Sequence, residues 1–277
     1  MEALDAASYC AFDLDYIKID NCGGTRYPRF NESWLAFRAG ITACSARGGR
    51  DMTMSVEYCR AGQLDGCSQW VSGVADLWRT TGDVQANWAS VISNLEENDA
   101  NAAAARSGKY NDPDMLVIGL PGVSLTEAQS QFSAFAVACA PMLMSLDLTQ
   151  PLAPGLLDII TNKEVIAVGQ DDGRVQGVRV GPPGDQECWA RPLAAAAAAA
   201  AAGGGGGGGN ALAVLLLNKA DGAAPNVTCT WGELGIPEGQ QTAVRDLVAH
   251  ADLPAATGAV VGSNIPGHGS MLLKLSW

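Results

Sequence analysis

Histidine is nearly missing from this chain. Two occur in 277 residues, His250 and His268, both near the C-terminus. None of the eight cysteines (Cys10, Cys22, Cys44, Cys59, Cys67, Cys139, Cys188, Cys229) stands in a C-x-x-C pair. Together these shortages leave no zinc site of the usual spacing. No run of ~18 apolar residues is present that could span a bilayer. Basic residues are scarce too: 17 Lys and Arg face 29 Asp and Glu, a net charge of −12. That balance argues against nucleic acid and anionic membranes as partners. The opening stretch MEALDAASYCAFDLDY lacks the basic start and apolar core of a signal peptide. It reads instead as the end of an amphipathic helix running into a strand, which suggests that Met1 is not a natural domain boundary.

What is present is an apolar half, 48% of the chain, enough for a sizeable core. Over residues 14–170 the pattern alternates. Tyr16, Ile17 and Ile19 predict a buried strand over 16–20, interrupted on one face by Lys18 and Asp20. A helix follows at about 31–47, with Trp34, Phe37, Ile41 and Cys44 on one face. TMSVE (53–57) and DLWRT (76–80) predict two more strands. Val84, Trp88, Val91, Ile92 and Leu95 then fall at helical spacing, which predicts a helix starting at Asp83. DPDML (112–116) ends a fourth strand, and SLTE (124–127) is a capping box opening a helix through Ala138. PMLMSLDL (141–148) reads as a fifth strand and 153–168 as a last helix. Alternation at this period means a parallel sheet, closed or open.

After about residue 173 the helical period stops. QGVRV, CWARPL, ALAVLLLN, VTCTW and SMLLKLSW, separated by Gly, Pro and Asn, predict an antiparallel β domain over 173–277. Between two of its strands lies a low-complexity insertion, 194–209, alanines followed by glycines, read as a spacer in a hairpin loop. Cys59 and Cys67 enclose a short loop that permits a local disulfide. Asn31-Glu32-Ser33 and Asn226-Val227-Thr228 permit N-glycosylation if the protein is secreted.

In a β/α barrel the reactive face lies at the C-terminal ends of the strands. There the sequence puts Lys18 and Asp20, then Glu57, then Arg79 and Asp83, then Asp112 and Asp114. One such acid is ordinarily a solvated loop residue; five in succession at the same position are not. Paired carboxylates without a histidine or metal motif suggest glycoside hydrolysis.

DYIKIDNC, LWRTTGD, NDPDML, PMLMSLDL and VIAVGQD occur in this order, and HGSMLLKL closes the chain. The set resembles glycoside hydrolase family 27, the α-galactosidases or melibiases, from about residue 5 onward. The resemblance implies a (β/α)8 TIM barrel over 1–172 lacking its first three strands, then a C-terminal β-sandwich over 173–277. It implies a retaining glycosidase of terminal α-D-galactosyl residues that needs no cofactor and no metal. Asp20 matches the nucleophile and Asp83 the acid/base. Lys18, Glu57 and Arg79 match sugar-binding positions, and Asp114 and Met115 match positions lining the site. Glu57 sits where a larger polar residue crowds the substituent on sugar carbon 2, favouring galactose over N-acetylgalactosamine. The family's habit also implies a secreted, lysosomal or vacuolar setting, α-galactoside substrates as partners, and admits a homodimer.

The resemblance has gaps. Strands one to three of the family barrel, with a tryptophan and two adjacent aspartates that grip the sugar, have no counterpart. Cys22 lacks its usual mate, and Cys10 is not that mate. Val56 and Ala75 stand where many members carry a disulfide-bonded pair. The expectation is a partial sequence of a longer enzyme or an incomplete gene model. Two other specificities in the family, α-N-acetylgalactosaminidase and β-L-arabinopyranosidase, are alternatives. So is a noncatalytic carbohydrate-binding protein, or an α/β domain whose strand-end ions are structural. Trp70, Trp78 and Trp88 read as core or sugar platform, with core favoured for Trp88.

Overall fold

The computed structural model describes residues 1–20, 30–57, 70–194 and 210–277. The Cys59–Cys67 loop, Cys22 and most of the Ala/Gly tract therefore lie outside the described residues. Four short strands form a parallel sheet in chain order: β1 (Tyr16–Ile19), β2 (Thr53–Val56), β3 (Leu77–Arg79) and β4 (Tyr110–Asp112). Helices α1 (Glu2–Ala11) and α2 (Phe30–Ser45) cover one end of it. Gly40 lets them touch, since a side chain there would strike Ala6. A disulfide joins Cys10 on α1 to Cys44 on α2, Cα to Cα 6.0 Å. Trp34, Ile41, Met54, Val56 and Trp78 pack as one apolar cluster under these elements.

Several boundaries differ from those the sequence predicts. β1 is hydrogen-bonded to β2 alone among the described residues, so Tyr16 and Lys18 are exposed and Ile17 and Ile19 only half-buried. A strand at a sheet edge has one covered flank, which is why the expected burial is not reached. The helix after β3, α3 (Trp88–Asp99), starts five residues later than Asp83. Asn87 caps it by accepting from the Ser90 amide, and the Val84 amide is already held by Asp114 at 2.8 Å, outside any helix. Residues 141–148 make one parallel bridge, Met144 to Leu116, rather than a full strand. The predicted 153–168 helix is two: α5 (Leu156–Ile160) and α6 (Lys163–Gly169), broken where Asn162 caps the second. The capping box opens α4 (Leu125–Val137) as predicted, with Ser124 and Glu127 bonded reciprocally.

The C-terminal part is an antiparallel sandwich. One sheet runs β10-β9-β12-β7-β6-β5, and the other pairs β11 with β8. Their ranges are β5 Val178–Val180, β6 Gln186–Pro192, β7 Ala211–Asn218, β8 Ala224–Thr230, β9 Gln241–Asp246, β10 Ala251–Thr257, β11 Ala259–Ile265 and β12 Ser270–Ser276. Every residue of β7 is buried. Leu212, Val214 and Leu216 face the sandwich core, while Ala213, Leu215 and Leu217 join Phe132 and Phe135 of α4 in the core shared with the α/β part. That two-sided burial explains the unbroken apolar run ALAVLLLN. The Cys188–Cys229 disulfide, Cα to Cα 5.8 Å, ties β6 in one sheet to β8 in the other. Cys139 is buried and free among the described residues.

Polar contacts also join the two parts. Arg191 of β6 is fully buried and donates to the carbonyls of Ala136 at 2.7 Å and Val168 at 2.6 Å, at the C-terminal ends of α4 and α6. Lys219 reaches Glu96 on α3 at 2.5 Å and the buried Glu187 at 2.8 Å. His268 places Nδ1 2.7 Å from Glu127 and Nε2 3.0 Å from Asp221, with its ring stacked on Trp88. The Trp88 indole N–H donates to the Lys219 carbonyl at 3.1 Å. Trp88 is thus an interface residue, and Trp78 is fully buried core.

Candidate active site

The parallel register brings the strand ends together. Ile19 pairs Val56, Val56 pairs Trp78, and Arg79 pairs Asp112. The next residues along β1 and β2 are Asp20 and Glu57, and the Glu57 amide donates to the Ile19 carbonyl at 2.9 Å. Asp20 is exposed at the end of β1. Glu57 is nearly buried, and its Oε2 takes two cations, Lys18 Nζ at 3.2 Å and Arg79 at 3.3 Å. Burial opposes the charge on Lys18, but Glu57 outweighs it and the ammonium is held above its ordinary pKa.

Arg79 is the hub. Its side chain is 3% exposed, and it meets Glu57, Asp83 at 3.1 Å and Asp114 at 3.0 Å. One guanidinium therefore serves three carboxylates on three separate segments, which its planar fork of donors permits and an ammonium does not. Asp83 stands on the loop between β3 and α3 with its side chain 84% exposed. Asn94 of α3 donates to the Gly82 carbonyl at 2.9 Å and the Pro113 carbonyl at 3.1 Å. It holds that loop against the one after β4. Thr80 donates to Asn98, also on α3, at 2.7 Å.

The loop after β4 is built on a turn. Asp112 is buried, and its Oδ1 accepts the Asp114 amide at 2.8 Å. Asp114 takes a left-handed backbone, φ 80°, uncommon for a residue with a Cβ. From there its carboxylate reaches Arg79 and the Val84 amide. Burial pushes the Asp112 carboxyl up to about 6, against the opposing pull of the Asp114 amide, Arg79 and Lys18. Met115 is half-buried behind this turn, its sulfur accepting from the Ser145 hydroxyl at 3.3 Å.

Of the residues singled out in the sequence, Lys18, Glu57, Arg79, Asp83 and Asp114 thus form one connected ionic network. Asp20 stands at the adjoining strand end, and Met115 lies just behind. Asp112 was counted there only as one acid among five. Its burial and its hold on Asp114 have no signature in the letters, since they depend on β4 pairing with β3.

The family model described as alpha galactosidase A matches residues 1–171, and that of the alpha galactosidase C-terminal beta sandwich domain matches 183–275. Alpha-galactosidase 2 of Arabidopsis thaliana is 35% identical over 256 residues, 90% of this chain and 57% of its own length. The alpha-galactosidase of Oryza sativa subsp. japonica is 33% identical over 271 residues, covering 96% of this chain and 58% of its own. The chain thus spans less than two thirds of the length of these relatives. The crystal structure of alpha-galactosidase I from Mortierella vinacea superposes with a TM-score of 0.84 at 28% identity, covering 99% of this chain and 70% of that one. A parallel α/β layer with clustered strand-end acids, an antiparallel sandwich behind it, and these matches along both parts agree: the chain belongs to the α-galactosidase family, glycoside hydrolase family 27.

Proposed function

We propose that this site is that of a retaining glycosidase acting on terminal α-D-galactosyl groups. The observation that carries the reading is the Arg79 hub, which collects Glu57, Asp83 and Asp114 at the C-terminal ends of the parallel strands beside Lys18 and Asp20. Asp20 attacks the anomeric carbon while the Asp83 carboxyl gives its proton to the leaving oxygen. The glycosidic bond breaks as a glycosyl ester to Asp20 forms. Asp83, now a carboxylate, takes a proton from water, which displaces Asp20 and restores both groups. Two carboxyls acting this way must come within ~5–5.5 Å in the substrate complex. Lys18, Glu57 and Arg79 bind sugar hydroxyls, Glu57 selects against a 2-acetamido group, and Asp114 and Met115 line the wall. A secreted, vacuolar or lysosomal setting fits this role.

The test is hydrolysis of 4-nitrophenyl α-galactoside by residues 1–277, with Asp20→Ala and Asp83→Ala beside it. Turnover in the parent, lost by at least ~10³-fold in both variants, supports the reading. Turnover that survives Asp20→Ala sinks it. Galactose binding without turnover moves the assignment to a sugar-binding protein.

A further inference from the structure

We propose that Asp112 is a positioning residue for this site: its side chain fixes the left-handed turn at Asp114 and, through Asp114, sets the loop that carries Asp83. The last clause rests on the reading of Asp83 as the acid/base; the turn itself does not.

Arg79 lies opposite Asp112 in the sheet register, yet its terminal nitrogens are engaged by Glu57, Asp83 and Asp114. The bond that Asp112 does make is to the Asp114 amide, 2.8 Å, across Pro113. That bond closes a turn around a residue whose φ of 80° is otherwise disfavoured. In this conformation one Asp114 carboxylate oxygen meets both Arg79 at 3.0 Å and the Val84 amide at 2.8 Å. Val84 follows Asp83 directly, so two hydrogen bonds and one peptide bond link the buried Asp112 to the exposed Asp83. Asn94 ties the same two loops together from the α3 side. The charged groups facing Asp112 are Arg79 from β3, Lys18 from β1 and Asp114 from its own loop. A change in its ionisation alters the acceptor strength felt by the Asp114 amide, and with it the Val84 contact.

The experiment follows the Val84 amide by NMR in the 1–277 protein from pH 4 to 8, with Asp112→Asn and Asp112→Ala. The expected result is a wild-type Val84 shift titrating with a midpoint near 6. Asp112→Asn, which keeps the acceptor oxygen, abolishes the titration while preserving the Val84 protection against hydrogen exchange. Asp112→Ala lowers that protection at least tenfold, with the Leu215 amide in β7 unchanged. Val84 protection in Asp112→Ala equal to that of the wild type overturns the proposal; should the alanine variant fail to fold, a Val84 shift that titrates identically in Asp112→Asn does so. On 4-nitrophenyl α-galactoside, Asp112→Ala is expected to lower kcat with KM nearly unchanged, and Asp112→Asn to restore it. Loss of Val84 protection in Asp112→Ala without any turnover in the parent upholds the turn and overturns only the role of Asp83. Turnover with that protection unchanged does the reverse.

Discussion

At the scale of single residues, the site is a problem of too many acids around too few cations. Glu57, Asp83 and Asp114 share Arg79, and Asp112 is left in the buried layer without a cation bonded to it directly among the described residues. Desolvation therefore dominates, and its carboxyl rises from 3.8 to about 6. The sign follows from linkage. A group whose folded pKa exceeds its unfolded value binds its proton more tightly in the fold. Its contribution is complete below pH ~4 and is lost as pH rises through ~6. A carboxyl raised from 3.8 to about 6 corresponds to on the order of 3 kcal/mol. Asp112→Asn, which never ionises, should gain on the wild type by about that much between pH 4 and pH 7. Urea melts at the two pH values measure it, and a gap that stays constant would show that Asp112 is ionised throughout. None of this was readable from NDPDML as letters. The acids were visible there, but which one is buried depends on β4 pairing with β3, a tertiary fact.

At the scale of elements, what the sequence specified was local chemistry. SLTE, a serine acceptor and a glutamate three residues on, is enough to start α4. Glu127 then does a second job, receiving His268 from the sandwich at 2.7 Å. Ser124→Ala should cost ~1 kcal/mol, the ordinary value of an N-cap, seen as a drop in thermal midpoint. Where the period alone was used, the boundary slipped. Val84 lies on the apolar stripe of the helix that follows, but its amide is already held by Asp114, and Asn87 provides the cap that starts α3. β1 shows the converse case. Alternation of Lys18 and Asp20 with Ile17 and Ile19 marks the strand itself, whereas its exposure depends on having a single neighbour among the described residues. The strands β9, β10 and β11 carry weaker patterns, broken by Asp252, Pro254 and Gly262, and the alternation of apolar residues does not mark them.

At the scale of the molecule, the sandwich is joined to the α/β layer by shared core and by buried ions. β7 supplies Ala213, Leu215 and Leu217 to the core around α4. Arg191 serves as a common C-terminal cap for α4 and α6, where the carbonyl ends of helices attract a cation. Arg191→Leu would take the charged donor from two carbonyls that keep only long backbone bonds, from the Cys139 amide at 3.4 Å and the Asp171 amide at 3.3 Å, at ~1.5–3 kcal/mol each, the range for a hydrogen bond to a charged group. Two results are expected in denaturant: a fall in overall stability, and a less steep transition as the parts cease to melt together. An unchanged midpoint would show that water replaces the guanidinium there. The same view gives a meaning to the hairpin that holds the alanines and glycines. β6 and β7 are in register from Gln186–Asn218 to Pro192–Leu212, and the Leu193 amide donates to Ala211 at 3.1 Å. The strands are thus locked before the repeat begins. Doubling such a loop costs only ~0.6 kcal/mol. Adding or removing alanines and glycines between Leu193 and Ala211 is therefore expected to leave the stability of the fold nearly unchanged.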